Sequence, residues 1–201
     1  MNEASGLKIE DLGLIRRFKA GDSDAMEQLV VKYQDRIFNV ILKMCGNADD
    51  AAELTQDTFV KIIENIQRFK GRSSFYTWAF RIAVNLTLNF CKRRKKVGYR
   101  SLDSEYEEID RQGKFDLKQF LTDESSPDPA GLAQNKEVCD ILVRALNRLD
   151  EPHKAVVVLR DIEGMNYNQI AQVLELELGT VKSRLSRARS SLKEILESML
   201  K

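Results

Sequence analysis

Apolar residues recur every four positions on both sides of an acidic, proline-containing middle, and this limits the chain to helices. Ala25, Leu29, Tyr33, Ile37 and Ile41 form one such stripe. Leu54, Phe59, Ile62, Ile63 and Ile66 form a second, and Trp78, Ile82, Leu86 and Phe90 a third. Val181, Leu185, Ala188, Leu192, Ile195 and Met199 form a fourth near the C-terminus. A four-residue recurrence places side chains on one face of a helix, whereas a strand needs alternation, and no segment alternates long enough for a sheet. Three prolines interrupt 201 residues. Pro127 and Pro129 sit in a breaker cluster after Ser125 and Ser126, and Pro152 suits the start of a helix. The expected fold class is all-α: two small helical domains joined by a flexible acidic linker. The boundaries read as residues 1–97, a linker over 98–132, and 133–201.

Charge is segregated rather than in excess. The formal net charge is +1, yet Gln67 to Arg100 holds no Asp or Glu. It carries Arg68, Lys70, Arg72, Arg81, Lys92, Arg93, Arg94, Lys95, Lys96 and Arg100. The following stretch is acidic, with Asp103, Glu105, Glu107, Glu108, Asp110, Asp116, Asp123, Glu124 and Asp128 opposed only by Arg111, Lys114 and Lys118. Net charge therefore hides a basic surface able to hold a polyanion. A solvated basic helix face is the alternative reading of the same run.

Within that run, Ser73 and Ser74 are suitable N-caps for a helix from Phe75 to Lys96. Its Trp78 stripe reads as core, with Trp78 a packed anchor. Arg81, Asn85, Asn89, Lys92, Arg93 and Lys96 fall on the other side. Amides read base edges and cations hold phosphates, so this face suits nucleic acid. The preceding Phe69–Ser74 loop is small, polar and contains Gly71, which allows close approach to a backbone or enclosure of an extruded base.

A second basic segment follows at the C-terminus. Tyr167–Leu174 reads as a short amphipathic helix with the small Ala171 inside it. A turn spans Glu175–Gly179, and a long helix begins at Thr180, which is able to cap it. Val181 would lock the second helix on the first, while Lys182, Ser183, Ser186 and Arg187 occupy exposed first turns. This is helix-turn-helix arithmetic, with the second helix presenting its N-terminal residues to a major groove.

Other classes are disfavoured. Cys45, Cys91 and Cys139 are far apart and His153 is the single histidine, so no usual zinc spacing exists. Sparse, odd cysteines suit a reducing compartment. The N-terminus is too polar for a signal peptide and no apolar run suffices for a bilayer span, so the expected location is cytoplasmic. No nucleophile motif or Gly-rich phosphate loop suggests an enzyme, and no cofactor is expected.

Taken in order, three motifs resemble those of the extracytoplasmic-function (ECF) sigma factors, small subunits of bacterial RNA polymerase. Asp49–Phe59 resembles the core-polymerase-binding helix, Phe75–Asn85 the promoter −10 segment, and Tyr167–Arg189 the −35 helix-turn-helix. The resemblance implies polymerase contacts at Glu53, Gln56 and Asp57. It implies −10 contacts at Lys70, Arg72, Ser73, Ser74, Phe75, Arg81, Asn85, Asn89 and Arg93, and −35 contacts at Thr180, Lys182, Ser183, Ser186 and Arg187. It further implies an acidic linker imitating nucleic acid inside the polymerase, and an anti-sigma factor as partner. Two features depart from the pattern. Glu175 and Glu177 stand where many relatives carry Gly or Asn and Pro, and Ser186 stands where some carry a larger side chain. A stand-alone helix-turn-helix regulator is the rival reading, but it leaves Asp49–Phe59 and the aromatic loop without a role.

Overall fold

The computed structural model describes residues 3–100, 138 and 141–200, with residues 3–8 and 97–100 described as helical backbone. Every regular element among them is helical. Helices α1 (Glu3–Lys19), α2 (Asp24–Cys45), α3 (Ala48–Asn65) and α4 (Phe75–Arg100) make the N-terminal part, with a 3₁₀ turn at Ile66–Arg68. Helix α5 covers 141–148. Helix α6 (Glu151–Val157) runs into a π-turn at Val158–Ile162, followed by α7 (Tyr167–Leu174) and α8 (Leu178–Met199).

Local chemistry sets the boundaries. Gly46 ends α2 at φ 77°, where a side chain would be strained, and its N–H caps Leu42. Asn47 starts α3 by accepting the Asp50 N–H at 2.9 Å. Ser74 starts α4: its Oγ accepts the Thr77 N–H at 3.1 Å. Pro152 lies in the first turn of α6, as its fixed φ favours. Asn166 and Gln169 form a reciprocal capping box at the start of α7.

The long C-terminal helix departs from the expected start. It begins at Leu178 with Glu177 as its N-cap, so Thr180 is not a cap but a first-turn residue whose carbonyl accepts the Ser183 hydroxyl. The reason is the backbone: Glu177 is already extended, and its carbonyl receives the first helical bond from Val181.

The first stripe is buried along its whole length, from Ala25 to Ile41. In the second, Leu54, Phe59, Ile62 and Ile66 are buried but Ile63 is 45% exposed, because the helical angle carries it past the edge of the covered face. On α4 the deepest stripe is Phe75, Ala79, Phe80, Ala83, Val84 and Thr87. Trp78, Ile82, Leu86 and Phe90, expected as the core face, instead lie half-buried along its flank. The helix also continues through residues 98–100, past the expected start of the linker at 98; the rest of 98–132 lies outside the described residues.

The two parts do not keep separate cores. One contiguous apolar cluster runs from Leu14 through Val84 to Leu149, Val158, Ile170 and Ala188. Helix α7 packs on α4, and α6 with its π-turn packs on α2. Lys154 of α6 is buried and donates to the Met44 carbonyl at 3.3 Å and to Asn147 Oδ1 at 2.9 Å. Burial lowers its pKa, since desolvation disfavours the ammonium.

Asp11 anchors α1 to α2. It is 2% exposed; one oxygen accepts Lys32 at 2.8 Å and the other the Tyr33 hydroxyl at 2.6 Å. Burial and then this carboxylate push the Tyr33 phenol far above its usual range, so it remains a donor. Tyr33→Phe leaves a buried carboxylate oxygen without a donor and is expected to cost about 1–3 kcal/mol. Urea unfolding measures this, and a midpoint shift no larger than for an exposed control such as Gln34→Ala rejects the anchor.

Candidate nucleic-acid interface

The loop before α4 is held from behind. Lys19 reaches across to the Phe69 carbonyl at 2.9 Å and the Gln67 carbonyl at 3.3 Å. Gly71 sits at φ 69°, a conformation a side chain rarely adopts. Lys70 and Arg72 point outward as exposed cations, while Ser73 and Ser74 are half-buried. Phe75 is only 1% exposed and lies in an aromatic cluster, with ring centroids 5.4 Å from Tyr33, 6.3 Å from Phe69 and 5.9 Å from Trp78. It therefore fixes the root of the loop from inside the core rather than offering a ring to a base.

Along α4 the expected face divides. Asn89, Lys92 and Arg93 are exposed; Arg81 and Asn85 are half-buried. The cations of the acid-free run are not all available. Arg94 pairs with Asp50 of α3 at 2.8 Å, Lys95 with Glu151 of α6 at 2.8 Å, and Arg81 approaches Glu175 at 3.6 Å. A cavity of about 630 Å³ lies between the loop and the C-terminal part. Lys70, Arg72, Trp78 and Arg81 bound it on one side, and Gln172, Glu175 and Glu177 on the other.

Sequence reasoning did not identify Glu163 as a junction. It follows the π-turn and is nearly enclosed, its side chain 9% exposed. One oxygen accepts both Arg36 Nε and the Tyr76 hydroxyl, each at 2.8 Å. The Arg36 guanidinium also lies 4.7 Å from the centre of the Tyr76 ring, a cation–π contact. Burial and then the Glu163 charge raise the Tyr76 pKa far above the usual phenol range. No local spacing links Arg36, Tyr76 and Glu163, so only the packed fold could reveal them. The acids at Glu175 and Glu177 did carry a signal, as departures from the expected turn.

The helix-turn-helix is compact. Val181, Leu185 and Ala188 of α8 are buried with Ile170 and Val173 of α7. The turn is closed by Glu175 in the left-handed region, at φ 54°, ψ 46°, with its N–H on the Ala171 carbonyl. Lys182, Ser183, Ser186 and Arg187 are exposed on the first turns of α8, with Thr180 exposed beside them. Arg189 is turned away from this group by its ion pair with Asp161. On α3, Glu53, Gln56 and Asp57 are exposed on one edge, beside Val60.

Comparisons with known proteins cover both parts. The family model for sigma-70 region 2 matches residues 29–97, and that for sigma-70 region 4 matches residues 139–192. The RNA polymerase sigma-H factor of Pseudomonas aeruginosa is 33% identical over 192 residues, 96% of each chain. The ECF RNA polymerase sigma-E factor of Haemophilus influenzae is 29% identical over 193 residues, 96% of this chain and 98% of that protein. Among solved structures, CnrH in complex with the cytosolic domain of CnrY shares the fold with a TM-score of 0.65 and 23% identity, over 94% of this chain and 98% of that chain. The sigma factor RpoE of Bartonella quintana, in complex with the anti-sigma factor NepR, aligns with a TM-score of 0.62 and 23% identity, over 85% and 96%. Two region models in the right order and relatives matched from end to end place this chain in the sigma-70 family, as an ECF sigma factor.

Proposed function

We propose that this sigma factor divides promoter recognition between its two helical parts as their charge pattern suggests. The observation that carries the reading is the exposed group Lys182, Ser183, Ser186 and Arg187 on the first turns of α8. A helix entering a major groove contacts base edges with such N-terminal residues. This group, with Thr180, reads the −35 element. Arginine bonds guanine O6 and N7, and serine bonds base or phosphate.

The N-terminal part handles the −10 element. Lys70 and Arg72 steer phosphates to the loop, and Ser73 and Ser74 shape it over Phe75. Arg81, Asn85, Asn89 and Arg93 follow the strand along α4. Extruding a base costs a few kcal/mol, which a fitted pocket offsets. The exposed edge Glu53, Gln56 and Asp57 engages core RNA polymerase. The protein acts in the cytoplasm, without chemistry or a cofactor of its own. Among the described residues no helix is long and apolar enough to cross a membrane. The solved neighbours bound to NepR and CnrY support an anti-sigma factor as a further partner. The acidic stretch that follows Arg100, up to residue 132, imitates nucleic acid within the polymerase.

Reconstituted run-off transcription with core enzyme tests the whole reading. Promoter-dependent product from a genomic template is expected; its absence with folded protein sinks the proposal in favour of a stand-alone regulator. Arg187→Ala should weaken −35 binding by about 1–3 kcal/mol if the contact is bidentate to guanine. Electrophoretic mobility shift on the cognate promoter measures it, and unchanged affinity rejects the contact. Asn85→Ala should lower open-complex formation, followed by permanganate reactivity of unpaired thymines, more than closed-complex affinity. An equal loss of both assigns Asn85 a purely structural role.

A further inference from the structure

The face of α4 assigned above to −10 DNA is partly covered by the chain's own C-terminal part. Among the described residues, the ion pairs that join the two parts have a consistent sign, and one of them takes Arg81 of that face. Arg36–Glu163, Arg81–Glu175 and Lys95–Glu151 each take the cation from the N-terminal helices and the acid from the C-terminal ones. We propose that Glu163 and Glu175 form an intramolecular clasp that holds the two domains closed, with Glu175 occupying Arg81 in place of promoter DNA. The masking role rests on the −10 reading; the clasp itself rests on geometry alone.

Glu163 is the inner half. It is nearly enclosed, and both its strong donors, Arg36 and Tyr76, come from the other domain. Glu175 is the outer half. Its backbone conformation is one that glycine adopts without strain and glutamate does not. At this position its carboxylate lies 3.6 Å from Arg81, on the other side of the cavity. Glu175 and Glu177 face the cationic wall of the cavity, formed by Lys70, Arg72 and Arg81. Phosphates of a DNA strand offer that wall the same charge. Trp78, Ala171 and Leu176 add half-buried apolar contacts beside it. Arg81 is 41% exposed and Glu175 65%, so this outer pair is accessible to competing anions and to salt.

The test compares full-length wild type with Glu163→Gln/Glu175→Gln. A control variant, Glu194→Gln/Glu197→Gln, makes the same charge change on exposed positions of α8. Small-angle X-ray scattering reports domain opening, and fluorescence anisotropy reports binding of a short labelled single-stranded DNA. The clasp variant is expected to show a larger radius of gyration and tighter binding, and the control neither. If the wild type is open about one-tenth of the time, full opening tightens apparent affinity about tenfold. Glu175→Gly, which suits the left-handed turn and keeps the fold, should shift both readouts in the same direction by less. Scattering identical to wild type in both clasp variants overturns the proposal, as does an equal affinity gain in the control. Opening without any gain in affinity supports the clasp and overturns the −10 reading instead.

Discussion

Helix α4 is the element on which the rest of the molecule depends, because both ends of the chain need it. Its inner stripe, from Phe75 through Phe80 and Val84 to Thr87, completes the core with α2 and α3. Its flank, with Trp78 and Ile82, receives α7. The Ser74 cap and the Lys19 bonds to the preceding loop set where this helix begins. A helix turned by even one residue would rotate its faces by about 100° and expose Phe75 or Phe80. Burying such a ring contributes about 1.5–3 kcal/mol, so core packing fixes the orientation in which α4 offers its polar side.

Part of the charge segregation has a structural counterpart among the described residues. Cations concentrated in one domain meet acids of the other across an interface, and only part of the basic run remains available to an outside polyanion. Arg94 is held within the N-terminal domain by Asp50. Arg36, Arg81 and Lys95 are engaged by the C-terminal domain. Asn89, Lys92 and Arg93 stay exposed. On the proposed −10 role, a first encounter with DNA begins at the open end of α4 while Arg81 is still paired with Glu175.

Helix existence and type were legible in the sequence, since four-residue recurrence is a local signal. The Ala25–Ile41 stripe proved buried throughout, and the Val181–Met199 stripe buried as far as Ala188, with Leu192, Ile195 and Met199 half-buried. The choice between neighbouring stripes on α4 was not legible. Trp78–Phe90 and Phe75–Thr87 are both apolar at helical spacing, and which lies deeper is decided by α2, α3 and α7 together. The start of α8 was misplaced for a related reason: threonine is a good cap by side chain, but the extended backbone of Glu177 had already begun the helix. The Arg36–Tyr76–Glu163 junction joins residues 36, 76 and 163, and long-range tertiary contacts of this kind leave no periodic trace. The exposed candidates at Lys182, Ser183, Ser186 and Arg187 were readable because they are the complement of a buried stripe on one short helix segment.

Reversibility of the closed arrangement follows from where its contacts sit. An exposed pair such as Arg81–Glu175 contributes about 0–1 kcal/mol and is screened by salt. Glu163 differs, because stripping donors from a nearly enclosed carboxylate is costly unless water reaches it. Arg36, however, is 52% exposed at its side chain, so separation of the domains hydrates both charges together rather than leaving either one buried alone. The apolar contacts between the parts belong to one cluster, in which Ile170 and Val173 are fully buried and Trp78, Ala171 and Leu176 are half-buried, so opening also returns apolar surface to water. A DNA strand brings several phosphates to the same region, and each neutralised phosphate adds a favourable counterion-release contribution. Under the proposed −10 role, several phosphates compete with one exposed carboxylate for Arg81, and loss of that outer pair leaves Glu163 with Arg36 and Tyr76, Lys95 with Glu151, and Lys154 with the Met44 carbonyl as polar ties between the two parts.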